Sequence, residues 1–149
     1  MSGIRAVTRA AIVAEASSWL GTPYMHQASL KGVGCDCLGL VRGIWRALFG
    51  AEPEPLAPYT PDWAEAAGGE PLADAARRHM KEIAVADAGS GDVLLFRWRA
   101  GLPAKHAGVL TDAGRFIHAH QGAAVSVAAY SRWWRDRAAY AFRFPPVAD

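Results

Sequence analysis

The chain has 149 residues, 52% of them hydrophobic, and a formal net charge of +2. A chain of this length suits a single domain, residues 1–149, and buries roughly 70% of the surface that it exposes when unfolded. The small charge, without a stripe of Lys and Arg, argues against a nucleic-acid partner, and no apolar run approaches the roughly 20 residues of a membrane span.

The N-terminal region predicts a helix. Apolar residues recur at helical spacing from Ile12 to Leu20, and Gly21 follows as a stop signal. Basic residues precede this stretch, as they would in a signal peptide, but Glu15 interrupts it. We therefore expect a plain first helix and a protein that is made in the cytoplasm without a signal peptide.

A second helix is predicted after a glycine-rich loop. Asp36 is placed to cap this helix, Cys37 to begin it and Gly50 to end it. Two apolar stripes, Leu38-Val41-Trp45-Leu48 and Leu40-Ile44-Ala47, run along it. Apolar residues on both flanks indicate a mostly buried helix. Beyond it, the proline-rich segment from Glu52 to Pro61 predicts a surface excursion, and Leu72 to Ile83 predicts a polar helix.

The second half of the chain predicts antiparallel strands. The predicted strands are 93–96, 106–111, 115–120, 124–128 and 139–144. Asp112-Ala113-Gly114 is predicted as a three-residue hairpin loop that pairs Thr111 with Arg115. Helices first and strands after them predict an α+β fold, in which the N-terminal helices pack on an antiparallel sheet of about five strands.

Cys37 is the first candidate for chemistry. The chain has two cysteines, Cys35 and Cys37, which are too few and too close together for a disulfide framework. The N-terminus of a helix offers unpaired N–H groups and a partial positive charge, which favour a thiolate. We therefore predict that Cys37 is a nucleophile with a lowered pKa, rather than an inert cysteine of the core.

Three histidines of the strand half are candidates for the base that a nucleophilic cysteine needs. In the predicted hairpin His106 lies opposite His120, and His118 lies diagonally beside it. Opposed residues and residues two apart share one face of a hairpin, so all three imidazoles are expected on one face. We interpret His26 and His79 as ordinary histidines of the surface or the core, without a role in catalysis.

A zinc site is the alternative interpretation of these residues. Its ligands would come from Cys35, Cys37, His106, His118 and His120. However, Cys-x-Cys is tighter than the usual spacing of structural zinc ligands, and no acidic residue is placed to act as the base of a metallohydrolase. We therefore predict neither a metal nor another cofactor.

Five short motifs carry a resemblance to a known family. In chain order they are Gly21-Thr22-Pro23-Tyr24, Asp36-Cys37-Leu38-Gly39-Leu40, Gly91-Asp92-Val93, His106-Ala107-Gly108-Val109 and Phe116-Ile117-His118-Ala119. Together they resemble the motifs of the NlpC-type cysteine peptidases, and the similarity runs from about Ala11 to Phe144. The spacing of His106 and His118 is also similar to that of the family.

The resemblance implies a reduced papain-like α+β fold and hydrolysis of γ-D-glutamyl–diamino-acid bonds in the stem peptides of peptidoglycan. It implies Cys37 as nucleophile, His106 as base and His118 as the third member that orients the base. Strand parity alone also admits His120 as the third member.

The resemblance extends to the substrate side of the site. It implies that Tyr24 stands by the oxyanion or the substrate, and that Asp36 helps to receive the free amino end of the peptide. Leu38 departs from the pattern, because the family usually has a serine whose hydroxyl contacts the substrate. The exact stem peptide is therefore left open.

The compact form is similar to peptidases encoded among the tail genes of phages and gene transfer agents, which is an analogy at the level of the fold. It implies action on the cell wall or in the periplasm after delivery by a phage-like particle or lysis. One indole of Trp133-Trp134 could anchor the protein to a tail partner, and Trp134 is the one we expect to do so. The alternatives are an inactive structural tail component and a thiol amidase or acyltransferase on the same fold.

Overall fold

The computed structural model describes residues 7–53 and 69–145, with the backbone of residues 147–148. Most of the proline-rich segment predicted as a surface excursion lies outside these residues. The helices are α1 Arg9–Ser17, α2 Cys37–Leu48, α3 Pro71–His79 and α4 Arg132–Arg135, with a 3-10 turn at Val85–Asp87. The strands are β1 Val7–Thr8, β2 Ser29–Leu30, β3 Gly34–Cys35, β4 Lys81–Ile83, β5 Val93–Phe96, β6 His106–Asp112, β7 Arg115–His118, β8 Ser126–Ala129, β9 Ala138–Arg143 and β10 Val147–Ala148. Within the described ranges, none of the helices combines the length and the apolar character of a membrane span.

The main sheet has six strands in the order β4-β9-β5-β6-β7-β8, and every neighbouring pair is antiparallel. The predicted α+β class, with helices preceding an antiparallel sheet, is confirmed. The sheet has one strand more than expected, because the predicted helix from Leu72 to Ile83 is wrong in its last turn. Helix α3 ends at His79, Met80 is extended, and Lys81 then pairs with Arg143 at the sheet edge.

The β6–β7 hairpin has the expected register near its middle but not at its ends. Val109 pairs with Ile117, as the prediction requires. At the loop, however, Asp112 rather than Thr111 pairs with Arg115 across a bulge, and the Asp112 carboxylate accepts a hydrogen bond from Gly114 N–H at 2.8 Å. The loop is thus shorter by one residue than predicted.

The far end of β7 also differs from the prediction. The strand ends at His118, whereas the prediction carries it to His120. The carbonyl of His120 accepts a hydrogen bond from Ala123 N–H at 3.0 Å, so the chain is already turning there. His120 therefore reaches the other two histidines from a turn and not from a paired strand position.

The core has a layer on each face of β5, because successive side chains of a strand point to opposite faces. Val93 and Leu95 pack with residues of α1 and α2, whereas Leu94 and Phe96 pack with Phe116 and its neighbours. Helix α2 packs against both α1 and β6. Cys37 and His106 begin these two packed elements, so the close fit of α2 on β6 brings their ends together.

Asp92, in the Gly-Asp-Val motif, ties α1 and β9 to the start of β5. Its side chain is buried, and its oxygens lie 3.2 Å from Arg9 Nη1 and 3.0 Å from Arg143 Nη2. A buried carboxylate is tolerated only when it is paired in this way. The motif is therefore a structural junction beneath the sheet and not part of the cleft described below.

Candidate active site

The candidate nucleophile and base open onto one cleft. This cleft has a volume of about 320 Å³. Its walls are formed by Tyr24, His26, Asp36, Cys37, Leu38, Leu72, Trp98, Lys105, His106, Ala119, His120 and Gln121. The N-terminus of α2 and the ends of β6 and β7 thus contribute side chains to a single concave surface, as the sequence motifs predict.

Cys37 is fixed at the N-terminus of α2 by Asp36. Asp36 is the N-cap, and its Oδ1 accepts a hydrogen bond from Gly39 N–H at 2.7 Å. Its Oδ2 accepts a second bond from Gln27 N–H, also at 2.7 Å. Because the carboxylate binds both the helix and the preceding loop, the position of Cys37 is set on both sides.

Gly39 allows that loop to come close to α2. A Cβ atom at Gly39 would lie 1.9 Å from the carbonyl oxygen of Ala28, which no side chain could accommodate. The loop is also tied back by a hydrogen bond from Asp36 N–H to Ala28 O at 3.2 Å. The glycine of the Asp-Cys-Leu-Gly-Leu motif therefore serves close packing beneath the nucleophile.

The Cys37 sulfur lies against the main chain on both sides of His106. Its Sγ is 3.8 Å from the carbonyl oxygen of Lys105, and it also accepts a hydrogen bond from Ala107 N–H. Among the described residues, no hydrogen bond joins the thiol to the His106 ring in this resting arrangement. Hydrogen bonds of catalytic groups are often long or misaligned before a substrate binds.

The pKa of Cys37 differs from the sequence prediction. Burial raises the pKa of the thiol to about 12, and the neighbouring Asp36 carboxylate adds to the rise. The N–H groups of Ala107, Leu38 and Cys37 itself lower the pKa, but they do not offset burial. The predicted thiolate of lowered pKa is therefore wrong for the resting site, because partial burial disfavours the charged form of the thiol.

His106 and His118 form a direct pair. His106 Nε2 is 2.8 Å from His118 Nδ1, and both side chains are buried. This bond leaves Nδ1 of His106 as the nitrogen that is free to act on a thiol. The ring of His120 lies near both, with centroid distances of 5.9 Å to His106 and 5.6 Å to His118. The three imidazoles therefore lie together as expected, but His120 does so from a turn and not from a strand position opposite His106.

Burial keeps the two paired imidazoles neutral. It lowers the pKa of His106 well below 6.5, and the charges of His118 and His120 lower it further. It also lowers the pKa of His118 to about 4, again with a contribution from His120. A neutral imidazole can accept a proton, so His106 is in the form that a general base requires.

Two tryptophans that the sequence analysis did not connect with the site pack on the base. The centroids of Trp98 and Trp134 are 5.1 and 5.8 Å from that of His106, and both indoles are tilted by about 30° from its plane. Trp134 also contacts Phe96 and Phe116. The two indoles contribute to the burial of His106, which is the largest cause of its low pKa.

The same wall corrects the expected anchor. Trp134 packs on the histidines, whereas Trp133 has 49% of its surface exposed. The Arg137 guanidinium lies over the Trp133 ring at 3.7 Å from its centroid. The exposed indole of the pair is therefore Trp133. A helical periodicity of hydrophobic residues in α4 could have indicated which indole is exposed, but a helix of four residues is too short to show such a periodicity.

Tyr24 is brought to the cleft by the Gly-Thr-Pro-Tyr motif. Thr22 is buried and accepts a hydrogen bond from Gly32 N–H at 2.9 Å, while Pro23 O accepts one from Cys35 N–H at 3.0 Å. Burial raises the pKa of Tyr24 to about 12, with contributions from the charges of Cys37, Asp36 and Cys35. The phenol therefore keeps its proton and can donate a hydrogen bond into the cleft.

Leu38 lines the cleft and also an adjoining apolar groove between α2 and α3. Leu72 lines both as well, so the two side chains form the ridge that separates them. Where the sequence resemblance leads us to expect a hydroxyl, the cleft thus has a hydrophobic wall. At this position the cleft offers an apolar surface and no hydrogen-bonding side chain.

The zinc alternative is not supported in its original form. Cys35 is fully buried and pairs with Ser29 in the β2–β3 ladder, and burial raises the pKa of its thiol to about 11. The described residues contain one group of three metal-ligating side chains, made of His106, His118 and His120. Neither cysteine belongs to it.

Known proteins similar to this chain were found at the levels of both sequence and structure. Gamma-DL-glutamyl hydrolase of Bacillus subtilis (strain 168) is 30% identical over 131 residues, which are 85% of this chain and 27% of that protein. The chain thus spans about a quarter of the length of this curated relative.

Two solved structures share the fold. The NlpC/p60 domain of the peptidoglycan hydrolase SagA has 26% identity and a TM-score of 0.65, over 93% of this chain and all of that one. An NlpC/P60 family protein from Bacillus cereus ATCC 10987 has 17% identity and a TM-score of 0.70, over 96% of this chain and 42% of that one. The NlpC/P60 family model itself matches residues 21–143, which include all five motifs. The chain therefore belongs to the NlpC/P60 family.

Proposed function

We propose that the chain is a cysteine endopeptidase of the cell wall, which hydrolyses γ-D-glutamyl–diamino-acid bonds in the stem peptides of peptidoglycan. One observation carries the proposal: Cys37 begins helix α2 next to the main chain at His106, and His118 forms a close contact with the His106 ring at 2.8 Å. The similarity to a gamma-DL-glutamyl hydrolase and to the domain of a peptidoglycan hydrolase supports this bond type and this substrate class.

The geometry supports attack by a thiol that begins neutral. The thiol turns from Lys105 O toward Nδ1 of His106, which takes the proton as the sulfur attacks the amide carbonyl. The imidazolium then gives this proton to the leaving amine, and a thioester remains on Cys37. Water attacks the thioester, with His106 again acting as the base, and the free thiol and a carboxylic acid are released. No metal or other cofactor takes part in these steps.

The oxyanion of the tetrahedral intermediate is stabilised by donors at the N-terminus of α2. We assign this role to Cys37 N–H and to the Tyr24 hydroxyl, which stays protonated because its pKa is raised to about 12. A donor of this kind contributes about 3 kcal/mol to the stability of the transition state. We also assign to Asp36 the binding of the free amino end of the peptide, in addition to its role as the helix cap.

Purified peptidoglycan incubated with the protein is the decisive test. Mass spectrometry should find fragments cut between D-glutamate and the diamino acid, and Cys37→Ala should release none. Cleavage between the sugar and the peptide would instead indicate an amidase, and transfer of the acyl group to an added amine would indicate an acyltransferase. A wild-type protein that releases nothing from any wall preparation would support an inactive structural component.

Delivery by a phage-like tail is the finer part of the proposal. The support for it is the exposed indole of Trp133, stacked under Arg137 at the surface near the cleft. Tail particles that carry Trp133→Ala should contain less of the protein than particles that carry the control substitution Trp45→Phe, at a tryptophan that is partly buried against the core. Full incorporation of Trp133→Ala would remove this surface as the anchor.

A further inference from the structure

We propose that His106, His118 and His120 form a binding site for a divalent ion of the zinc type, and that occupation of the site switches off the proposed peptidase. The ion is an inhibitor here and not a cofactor. His120 is the decisive residue, because it adds a third imidazole to a pair that already serves the base. Imidazole nitrogens are among the preferred ligands of zinc, copper and nickel ions.

The spacing of the three rings fits a single ion. One ligand atom from each histidine lies within 4.8 Å of the others. The ring centroids are 5.1, 5.9 and 5.6 Å apart. Three imidazoles on one tetrahedral zinc ion have centroids about 5 Å apart, given Zn–N distances of about 2.0–2.1 Å. The cluster therefore needs only small rotations of its side chains to close around an ion.

The cluster is open to an ion from one side. His118 is buried beneath the hairpin, but His106 and His120 line the cleft and His120 is exposed. An ion that enters the cleft meets His120 first and then the two buried rings. Three protein ligands also leave a fourth position for water, as open zinc sites do.

Occupation of the site and catalysis exclude one another. His106 Nε2 and His118 Nδ1 are 2.8 Å apart, which suits a hydrogen bond. Two nitrogens on one tetrahedral zinc ion lie about 3.3 Å apart, so these rings must turn or separate before both can bind the ion. The bond that holds the His106 ring is then lost. A neutral ring that binds the ion through Nε2 carries its proton on Nδ1, so His106 can no longer take the proton of the thiol.

Binding is tested directly by isothermal titration calorimetry of Zn²⁺ into the reduced, chelator-treated protein. We expect one ion per chain, an affinity at least about tenfold lower in His120→Ala, and an unchanged affinity in Cys37→Ala. His26→Ala is the matched control, since it removes an imidazole from the same cleft but outside the cluster. The proposal is overturned if wild-type protein binds no Zn²⁺ at concentrations up to about 100 μM. It is also overturned if Cys37→Ala loses binding while His120→Ala retains it.

The inhibition arm rests on the proposed function, and the binding arm does not. Each variant is assayed on peptidoglycan against a Zn²⁺ series, relative to its own rate in chelator. Wild type and His26→Ala should lose activity at the concentrations at which they bind the ion, and His120→Ala should need at least about tenfold more. An inactive protein that still binds zinc through His120 would refute the peptidase but keep the site. An active enzyme whose inhibition is the same in His120→Ala would overturn the site but keep the peptidase.

Discussion

His106 Nε2 and His118 Nδ1 face each other at 2.8 Å, and both side chains are largely buried, each with 5% of its surface exposed. One of these two nitrogens must carry the proton that lies between them. A histidine in this position fixes both the tautomer and the tilt of its partner. The second ring nitrogen of His106 is thereby directed to the cleft that contains Cys37.

Replacement of His118 should therefore damage turnover more than replacement of His120. His118→Ala removes the group that orients the base, and we expect kcat to fall by about 10²-fold or more, because an unoriented imidazole samples unproductive tautomers and poses. His118→Gln, which keeps a hydrogen-bonding group, should recover part of the loss. His120→Ala in chelator should cost less than tenfold. A larger loss in His120→Ala than in His118→Ala would show that His120 is the third member.

Local signals were sufficient to predict where Asp36 and Cys37 lie in the fold. Asp36 and Cys37 occur where they were expected, because an N-cap and the residue after it are set by the sequence of one turn. The pairing of Val109 with Ile117 was also predicted correctly, although a bulge offsets a loop that is shorter than expected. These features are determined by residues close together in the chain, and so a short stretch of sequence is enough to predict them.

Long-range packing was not predictable in the same way. The aromatic wall of Trp98 and Trp134 joins residues from two different connections, and no periodic pattern links them. The pKa of Cys37 depends on how deeply α2 sits on the sheet, which a motif does not report. The strand Lys81–Ile83 exists because it finds an edge at β9, although its own residues favour a helix.

The aromatic wall should affect the base through its orientation and its pKa. Trp98 lines the cleft and lies 5.1 Å from the His106 ring, so Trp98→Ala should admit water to that ring. We expect a lower kcat and an acid limb of the pH–rate profile that moves upward toward pH 6.5, as desolvation is lost. Trp98→Phe should retain more of both properties. A profile that does not move in Trp98→Ala would show that Trp98 only fills space.

Trp134 should matter chiefly for stability. It packs on Phe96 and Phe116 as well as on the histidines. Trp134→Ala should reduce the free energy of unfolding by about 3 kcal/mol or more, as other losses of a packed aromatic side chain do. Urea denaturation measures this loss, and the exposed neighbour Trp133→Ala, which should cost well under 1 kcal/mol, is the matched control.

Asp36 should couple stability to catalysis. Both of its oxygens accept backbone N–H groups at 2.7 Å, one from α2 and one from the preceding loop. Asp36→Ala should lose about 1–2 kcal/mol of stability and also displace Cys37, so kcat should fall even where the variant is folded. Asp36→Asn keeps acceptor geometry on one oxygen and should be milder for stability. If Asp36→Asn has normal kcat but a raised KM for peptides with a free amino end, the substrate role of the carboxylate is supported.

The two buried histidines should make the protein less stable in acid. The pKa of His118 is lowered to about 4, and that of His106 also lies well below 6.5. Below pH 6.5 an unfolded histidine takes up a proton that the folded one refuses, so the free energy of unfolding falls as the pH is lowered from about 6.5 toward 4. His118 alone accounts for up to about 3 kcal/mol of this loss. The base stays neutral over the same range, so the acid limb of kcat/KM should lie below 6.5.

Urea denaturation in chelator at pH 7 and at pH 4.5 measures this dependence. His118→Gln should show a smaller difference between the two pH values than wild type, because one depressed pKa is removed. The exposed histidine variant His120→Gln should change the difference much less. Equal pH dependence in wild type and His118→Gln would mean that folding leaves the pKa of His118 unchanged.

The two cysteines should differ in accessibility and in function, although burial raises the pKa of both. Cys35 is fully buried in the β2–β3 region, with a pKa of about 11, whereas Cys37 opens onto the cleft with a pKa of about 12. Iodoacetamide should therefore modify Cys37 alone in the folded protein. Since the thiolate is the reactive form, labelling should be slow at mildly acidic pH and should accelerate steadily as the pH rises toward 9. Peptide mapping by mass spectrometry after timed exposure reads out both sites.

Variants separate the roles of the two thiols. Cys37→Ala should be folded and inactive, because the apolar stripes of α2 stay in place while the nucleophile is lost. Cys35→Ala should keep most of its activity, whereas Cys35→Ser buries a hydroxyl in an apolar site and should lose about 1–3 kcal/mol of stability while the folded fraction remains active. Fast labelling of Cys37 below pH 6 would mean that its thiolate persists in acid, so that the helix N-terminus outweighs burial after all. Loss of activity in folded Cys35→Ala, by contrast, would mean that the second thiol takes part in the reaction.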